Sequence, residues 1–451
     1  MDRLTEFASQ HPQIEHVTPT SPDFDTVRSI FAHPEIIPSA IMRPGSIEDV
    51  AAAVSFLSRE GIDFTIRAGG HDMHGRSMKN GVVALDLRRI NHVYVQVDRE
   101  RTTARIGGGS LMADVIAELQ REGFITPVGT IGCVGYVGWA MYGGYGQYSA
   151  LFGLGVDQIV GAKVVNATGE IVEADRELLK GIRGAGGAFG VVAELTVSIY
   201  KLDKVLAGVL MFKSDDLDTL VPQFNEQYRA LKAQGLPKAL SLNQAIIPAP
   251  TPTFGILFLW ASPDIEEGNK WVDKIASLGP VTVNTVEEKT PKSWLDEATK
   301  IVATSTQGRL YAVSLREITD EVAQIIAHYT KNTPADPHIL LDVHELRRES
   351  PSMRPAPGSV FAAREPHFVV QIITIVQDKE NLQKTLAWGG EFQRALQETS
   401  ADNIVSASYV SFTSPEEMDP SKIYGENLPF LKDLKQRVDP GNVFKAAISY
   451  L

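Results

Sequence analysis

The residues with the clearest chemical potential lie between Thr65 and Asp86, in the sequence TIRAGGHDMHGRSMKNGVVALD. Gly69 and Gly70 follow an apolar run typical of a strand, and glycine lets a backbone approach a ligand closely because it has no Cβ. The same loop carries the Ser77 hydroxyl and two histidines. Backbone N–H groups that converge in such a loop can bind a pyrophosphate. The pattern therefore predicts a dinucleotide-phosphate site, with an ordinary hairpin loop and a solvated histidine as the alternative.

Two further glycine-rich passages follow along the chain. The first runs from 129 to 165, and its opening part has glycine at positions 129, 132, 135, 138, 143, 144 and 146. This density lets the backbone lie against a flat ligand, and the interleaved Val, Tyr, Trp and Ile favour packed structure over low-complexity disorder. The third passage, GAGGAFGVV at 184–192, leads into an apolar alternation typical of a strand.

Together the three passages resemble those of the vanillyl-alcohol-oxidase/PCMH flavoproteins, in particular the berberine-bridge-enzyme-like oxidases. The C-terminal stretch IYGENLPFLKDLKQRVDPGNVFK is similar to the closing signature of that family. The resemblance implies FAD as cofactor, carried covalently by the histidine that follows Arg-x-Gly-Gly, which is His71 here. The first loop does not fit the Rossmann fingerprint, which needs G-x-G-x-x-G leading into a helix.

The resemblance also implies which residues contact the cofactor, and they belong to the three glycine-rich passages and the C-terminal signature. They are Arg67, Ala68, Gly69, Gly70, His71, Asp72, Met73, Ser77, Gly132, Val134, Gly135, Gly138, Trp139, Gly143, Gly144, Tyr145, Gly146, Gly190, Val191, Val192, Tyr424 and Asn427. Trp139 stands where many relatives have a histidine, so a polar contact to the flavin is missing. Val134 stands where family oxidases often have a small residue that gives dioxygen access, which favours an oxidase over a dehydrogenase.

Relatives with a doubly linked flavin carry a cysteine early in the second passage. Counting back from Gly143 places that position at Ile131, whereas the single cysteine of this chain is Cys133. Cys133 lies two residues beyond that position, and we expect its side chain to point to the opposite side of an extended backbone. We therefore predict one covalent bond, through His71, and interpret Cys133 as a small buried apolar residue. A shifted gap that allows a cysteinyl link is the alternative.

Candidate catalytic residues are less well defined. Gln371 lies on an apolar strand where many relatives have glutamate or glutamine, and since glutamine cannot act as a base it would orient the substrate. His344 shares one strand face with Asp342 and is the candidate base, with a hydrogen-bonded structural histidine as the equal alternative. Tyr142 and Tyr311 are candidate hydrogen-bonding or phenolate partners, although an aromatic residue in an apolar strand is more often part of the core.

The order of elements predicts an α+β protein with a PCMH-type FAD-binding domain and a substrate domain. The predicted division is 1–204 for the FAD-binding domain, 205–420 for the substrate domain and 421–451 for a segment that returns to the first domain. The substrate domain is predicted to be a large antiparallel sheet covered by helices on one face. Residues 1–40 are predicted to be an irregular lead-in, and Ile404–Phe412 to be the last strand.

Composition limits the partners and the location. The chain has 451 residues, a net charge of −12 and one cysteine. The acidic balance argues against nucleic acid and anionic membrane as partners, and one cysteine excludes an internal disulfide and a multi-cysteine metal site. We expect no metal. The N-terminal sequence has no apolar signal region, which predicts a cytoplasmic or soluble intracellular protein, or a secreted one if a signal peptide has been removed.

The predicted function is that of an FAD-dependent oxidoreductase. We expect an oxidase that moves a hydride from a small alcohol, saccharide, amine or natural product to histidyl-linked FAD, and then passes electrons to dioxygen with release of hydrogen peroxide. Two alternatives stay open. One is a dehydrogenase, or a natural-product cyclase that uses FAD mainly as a structural group, on the same fold. The other is a binding protein that has lost FAD.

Overall fold

A computed structural model describes residues 2–98, 101–247, 251–300, 306–334, 339–354, 358–448 and 451. The first part of the chain alternates short helices and strands. Its elements are α1 (Asp2–Gln10), β1 (Glu15–Val17), α2 (Phe24–Arg28), β2 (Ala40–Arg43), α3 (Ile47–Arg59), β3 (Phe64–Arg67), β4 (Val83–Asp86), β5 (Val93–Val97), β6 (Thr102–Gly107), α4 (Met112–Gln120), β7 (Phe124–Ile125), α5 (Tyr136–Met141), α6 (Ser149–Phe152), α7 (Gly155–Gln158), β8 (Ile159–Val165), β9 (Ile171–Glu173), α8 (Arg176–Ala185), β10 (Val191–Ser198) and β11 (Tyr200–Lys201).

A four-stranded sheet with the order β1-β2-β4-β3 carries the first glycine-rich loop. Strands β2, β4 and β3 are parallel, and the loop connects the end of β3 to the start of β4. Helix α3 begins at Ser46, whose Oγ accepts a hydrogen bond from the Asp49 N–H, and it buries Val50, Val54 and Leu57. A second sheet, β5-β6-β10-β8-β9, is antiparallel throughout.

The second part of the chain forms one large antiparallel sheet with helices. Its elements are β12 (Val205–Phe212), α9 (Leu217–Ala233), β13 (Leu240–Ile247), β14 (Thr253–Trp260), α10 (Ile265–Ala276), β15 (Val281–Asn284), β16 (Glu287–Lys289), α11 (Pro291–Thr299), β17 (Gln307–Leu315), α12 (Asp320–Lys331), β18 (Ile339–Leu346), β19 (His367–Val376), α13 (Leu382–Gln397), α14 (Pro420–Tyr424) and α15 (Leu428–Val438). The strand order is β15-β12-β14-β13-β18-β19-β17, and β16 pairs with β12.

The large sheet has two chemically different faces. Helices α9, α10, α12 and α13 cover one face, and residues such as Phe224, Ile326 and Phe392 form a dry core there with the strands beneath them. Because successive residues of a strand point to opposite faces, the alternate positions of β18 and β19 face the other way, toward the glycine-rich loops. The prediction of an antiparallel sheet covered on one face by helices is confirmed.

The C-terminal helix α15 packs against α8 in the first part of the chain. Its Lys435 is buried, and Nζ donates hydrogen bonds to the Ala188 carbonyl and to Asp439 Oδ2, each 2.7 Å long. Asp439 in turn accepts the N–H groups of Val443 and Phe444, which starts the final turn. The sequence of the C-terminal stretch predicts a helix that ends near Val438, and α15 confirms it. The domain boundaries at 204 and 420 stay a prediction.

Two sequence expectations are wrong. The first 40 residues contain helices and strands, with Phe7 and Ile14 in the hydrophobic core. The predicted strand Ile404–Phe412 is not a strand, because its chain leaves the sheet after one isolated bridge between Ile404 and Leu315. Its apolar residues pack on the glycine-rich loops instead of on a neighbouring strand, as Tyr409 does against Tyr145.

Two predicted features lie in part outside the described residues. The sequence predicts a strand from His338 to Leu346, whose first residue is outside the described ranges, and a proline-rich loop from Ser350 to Gly358, of which 355–357 are outside them. Within the ranges that the structure describes, none of the helices is long and apolar enough to cross a bilayer.

The buried ion pair of α15 supplies a test of the C-terminal packing. Lys435→Met leaves Asp439 as an unpaired buried carboxylate, so we expect the free energy of unfolding to fall by about 3–5 kcal/mol. The matched control is Arg437→Met on the same helix, because Arg437 forms only exposed pairs and should change stability by less than about 1 kcal/mol. Denaturant unfolding followed by tryptophan fluorescence measures both, and equal effects of the two variants would contradict the assignment.

Candidate active site

The His71 imidazole lies in the wall of a cavity between the first glycine-rich loop and the large sheet. The Phe31 ring stacks on it, with ring centroids 4.5 Å apart and planes inclined by 17°. Its Nε2 lies 3.1 Å from Cys133 Sγ. Burial lowers the pKa of His71 to about 4, so the imidazole is neutral at physiological pH and keeps one nitrogen lone pair available.

The loop that carries His71 is held in place by ionic contacts at its base and within the loop. Arg67 ends β3 with 1% of its surface exposed, and its Nη1 donates to the Val27 carbonyl at 2.6 Å. It lies opposite the buried Asp86 in the β3–β4 register, with 3.8 Å between Nη1 and Oδ2. Further along the loop, Arg76 pairs with Asp72 and also donates to carbonyls of the segment that follows the large sheet. The loop is therefore tied to both parts of the chain.

Cys133 lies beside His71 because Ile131–Cys133 forms a turn, in which the Val134 N–H donates to the Ile131 carbonyl. The expectation of an extended backbone, with Cys133 directed to the opposite side, is wrong on two counts. Side chains two residues apart on an extended strand point to the same side, and the backbone here is a turn. The interpretation of Cys133 as a buried apolar residue is also corrected, since the thiol is only partly buried and contacts an imidazole nitrogen. Desolvation raises the pKa of the thiol, which keeps it protonated at neutral pH.

The turn containing Cys133 is fixed by a contact between two glycines. A Cβ on Gly69 would collide with the Gly135 backbone, and a Cβ on Gly135 would collide with Gly69. The His71 loop and the second glycine-rich passage therefore touch backbone to backbone. Trp139, in α5 of the same passage, donates from Nε1 to the Tyr145 carbonyl at 3.0 Å. The polar atom of its side chain therefore forms a hydrogen bond within the second glycine-rich passage.

The cavity has a volume of about 400 Å³ and joins the glycine-rich loops to the uncovered face of the large sheet. Many residues predicted to contact the cofactor line it. They are Ala68, Gly69, Gly70, His71, Asp72, Met73, Ser77, Val134, Gly135, Gly138, Trp139, Tyr145, Gly190 and Val192.

Other predicted cofactor residues lie outside the cavity wall. They are Arg67, Gly132, Gly143, Gly144, Gly146, Val191, Tyr424 and Asn427. Gly143 and Gly144 have φ angles of +131° and +77°, and they form a turn that packs against Phe361 and Tyr409. Asn427 directly precedes α15 and is only partly buried. The sequence assigns these residues to the correct passages. Whether each side chain faces the cavity depends on the geometry of the turns.

The donor set of the cavity fits a phosphate-bearing and hydroxyl-bearing cofactor. Ser77 Oγ and Thr130 Oγ1 are buried, line the cavity and have no hydrogen-bond partner among the described residues. Buried hydroxyls are normally hydrogen-bonded, so unpaired ones facing a cavity indicate a ligand. Gly138 in the same wall has nothing within 4 Å of the position that a Cβ would occupy, so the backbone there is open to a flat group.

The sheet wall of the cavity carries a small polar cluster. His344 Nε2 lies 2.9 Å from Asp342 Oδ2, and Asn243 Nδ2 lies 2.9 Å from His344 Nδ1. Gln371 lies directly opposite Asp342 in the β18–β19 register. Its side chain is 5% exposed, and Nε2 has no hydrogen-bond partner in the described chain. The predicted shared face of His344 and Asp342 is thus present, and Gln371 lies beside them on the neighbouring strand.

The two candidate tyrosines differ in position. Tyr142 lines the cavity with its hydroxyl close to Gly187, and burial raises its pKa. The interpretation of Tyr311 as a candidate partner in the site is wrong. Its side chain points to the helix-covered face, where its hydroxyl donates to the Leu386 carbonyl at 2.9 Å. The alternation of β17 places Leu310 in the cavity wall instead.

Several wall residues were not predicted from the sequence. Phe31 comes from the N-terminal segment, Ser411 and Phe412 come from the segment first interpreted as a strand, and Ala447 comes from the C-terminus. Their sequence signals are weak, because each is a common residue type in an irregular segment. Gly108 did carry a signal, since it belongs to the glycine turn that ends β6.

Family comparison agrees with the fold and the cavity, which define a flavin-binding oxidoreductase. Residues 38–175 match the family model described as "FAD binding domain", and residues 408–449 match the one described as "Berberine and berberine like". FAD-linked oxidoreductase aurO of Gibberella zeae is 30% identical over 98% of this chain and 86% of its own length. The chain therefore belongs to the berberine-like FAD-linked oxidoreductases, and it is an enzyme.

Solved structures show the same fold. 6-Hydroxy-D-nicotine oxidase from Arthrobacter nicotinovorans superposes with a TM-score of 0.82 at 22% identity, covering 96% of this chain and 97% of that chain. Glucooligosaccharide oxidase from Acremonium strictum gives a TM-score of 0.83 at 21% identity, with 98% of each chain covered. The predicted membership of the PCMH flavoproteins is confirmed.

The glycine contact leads to a test of how the cavity is built. Gly69→Ala places a methyl group against the Gly135 backbone, so we expect a loss of about 1–3 kcal/mol in stability together with weaker retention of FAD. Gly441→Ala is the matched control, because its nearest neighbour, a Val443 methyl, is at an ordinary contact distance of 3.8 Å. Thermal unfolding and the flavin-to-protein absorbance ratio measure the two effects, and a Gly69→Ala protein with normal values of both would contradict the contact.

Proposed function

We propose that this protein is an oxidase that holds FAD through a single covalent bond to His71, oxidises a small organic substrate and releases hydrogen peroxide. The observation that carries the proposal is one cavity bounded by His71 on one side and by the Asp342, His344 and Gln371 cluster on the other. Relatives named as oxidases of nicotine derivatives and of oligosaccharides support the reaction class. We also propose the domain division at residues 204 and 420.

The chain's own residues hold the cofactor in this proposal. FAD, when bound, accepts a hydride and can return the electrons to dioxygen. Ser77 and Thr130 supply free hydroxyls, and the open backbone at Gly138 leaves room for the flat ring system. His71 is neutral, and when its Nε2–H is donated to the Cys133 sulfur, Nδ1 keeps its lone pair for the covalent bond.

In this proposal the residues of the sheet wall accept the proton of the substrate hydroxyl. Asp342 and His344 lie 2.9 Å apart as a hydrogen-bonding pair, and a substrate hydroxyl on the cavity side can donate its proton to this pair. Asn243 holds the imidazole from the opposite nitrogen, which fixes the orientation of the ring. Gln371 cannot accept a proton, so its free amide N–H orients the substrate next to the base. Val134 lines the cavity, and in this proposal it stands where the family resemblance implies access of dioxygen to the flavin.

The covalent bond is tested by acid precipitation. We expect a yellow pellet from the wild type and a colourless pellet from His71→Ala. His74→Ala is the matched control, because His74 lies on the same loop but outside the cavity wall, and its pellet should stay yellow. Because the pKa of His71 is about 4, the rate of attachment to added FAD should not change between pH 6 and pH 8.

Two outcomes of the pellet experiment would contradict the proposal. A His71→Ala pellet that stays yellow would move the bond to Cys133, whose sulfur lies 3.1 Å from the imidazole. A colourless wild-type pellet from a yellow protein would show that the cofactor is bound without a covalent link.

The proton acceptor is tested by the rate of flavin reduction without oxygen. Asp342→Asn and His344→Gln should lower that rate by about 10²–10⁴-fold, since each removes part of the base. His328→Gln is the control, because His328 is exposed at the end of α12, a helix that covers the opposite face of the sheet. Fast reoxidation in air with peroxide release would support the oxidase, whereas slow reoxidation would favour the dehydrogenase alternative.

A further inference from the structure

We propose that the substrate is a largely apolar alcohol with a second, acceptor oxygen next to its hydroxyl group, and not a saccharide. This inference rests on the proposed function and concerns the same cavity. It depends on two observations of the sheet wall, the composition of the side chains around the polar cluster and the unpaired amide of Gln371.

Apart from the polar cluster, the sheet wall is aliphatic. Alternate residues of the strands that point into the cavity are Ala245, Ile247, Leu257, Leu310, Leu340, Ile373 and Ile375. A saccharide would bring several hydroxyls against this wall. A buried hydroxyl without a hydrogen-bond partner costs roughly 1–3 kcal/mol, so a polyhydroxylated ring is disfavoured there. An aromatic or alicyclic body instead gains from burial against the same residues.

The polar cluster has one acceptor side and one donor side. Asp342 is an acceptor, and with His344 it can receive the proton of a hydroxyl group. Gln371 offers an N–H that has no partner among the described residues. The residue is buried, with 5% of its surface exposed. An unpaired buried donor is costly, and a ligand that supplies an acceptor removes that cost.

The spacing of the two sides limits the substrate further. Asp342 and Gln371 are direct cross-strand neighbours. Side chains in such pairs start about 4.5–5.5 Å apart at Cβ and point to the same face. A hydroxyl that donates to Asp342 and an oxygen that accepts from Gln371 must therefore belong to neighbouring parts of one molecule.

The reaction on such a substrate balances. The hydroxyl proton goes to the Asp342 and His344 pair, the hydride from the carbinol carbon goes to FAD, and the alcohol becomes a carbonyl compound. Dioxygen takes up the two electrons with two protons and leaves as hydrogen peroxide.

Three aryl probes and one saccharide test the inference. The probes are 2-methoxybenzyl alcohol, benzyl alcohol without the acceptor oxygen, 2-methoxytoluene without the hydroxyl group, and cellobiose. Anaerobic calorimetric titration of the dithionite-reduced holoenzyme, which cannot accept a hydride from the alcohols, measures the dissociation constants. We expect 2-methoxybenzyl alcohol to bind about 2–12-fold tighter than benzyl alcohol, as for one net hydrogen bond, and 2-methoxytoluene to bind more weakly than 2-methoxybenzyl alcohol. Cellobiose should bind most weakly of the four.

Variants assign the preference to Gln371. Gln371→Leu removes the donor and Gln371→Glu replaces it by an acceptor, so both should abolish the advantage of 2-methoxybenzyl alcohol over benzyl alcohol. Ile373→Val is the matched control, because Ile373 lies two residues along the same strand face and has no polar atom. It should shift the affinity of both alcohols equally and leave their ratio unchanged.

The results separate this inference from the oxidase proposal. Tighter binding of cellobiose than of the aryl alcohols would overturn the substrate class, and so would an unchanged ratio in both Gln371 variants, since the amide would then serve the cofactor. The binding pattern is read independently of turnover. The expected pattern without peroxide production would count against the oxidase reaction and still support the substrate class.

Discussion

The contact between Gly69 and Gly135 is the constraint on which the site depends. It brings two loops together backbone to backbone, and neither position has room for a Cβ. One loop carries His71 and the other carries Cys133, so the contact sets the 3.1 Å distance between the imidazole and the thiol. The buried Arg67 beside Asp86 fixes the base of the first loop, and the turn at Ile131 shapes the second.

The large sheet supplies the other half of the cavity through simple alternation. One set of positions on β18 and β19 is buried beneath helices and stabilises the sheet. The other set faces the loops and is free to differ in chemistry, because it does not contribute to that core. A polar cluster of Asp342, His344 and Gln371 within an aliphatic wall is the result. The same sheet face can thus bind the apolar part of a substrate and accept one proton from it.

The connections between the two parts keep the halves of the cavity in register. Arg76 reaches from the His71 loop to the carbonyls of Val410 and Thr413, which follow the sheet. At the other end of the chain, Lys435 joins α15 to the Ala188 carbonyl. Both contacts use a charged side chain to satisfy main-chain carbonyls that a shorter residue could not reach. The cavity is therefore held by links at the loop and at the C-terminus.

The sequence by itself determined the family, the loop that carries His71, the apolar alternation of the sheet and the helix that ends at Val438. These features depend on local composition and spacing, which can be read directly from the sequence. Only the tertiary structure decided that Cys133 lies beside His71, that Tyr311 faces the helices and that Asn427 lies outside the cavity wall. A period of two shows that a strand has two faces, but which face meets the cavity depends on what packs against it. Likewise, a glycine-rich passage permits many turns, and the contact with Gly69 selects one of them.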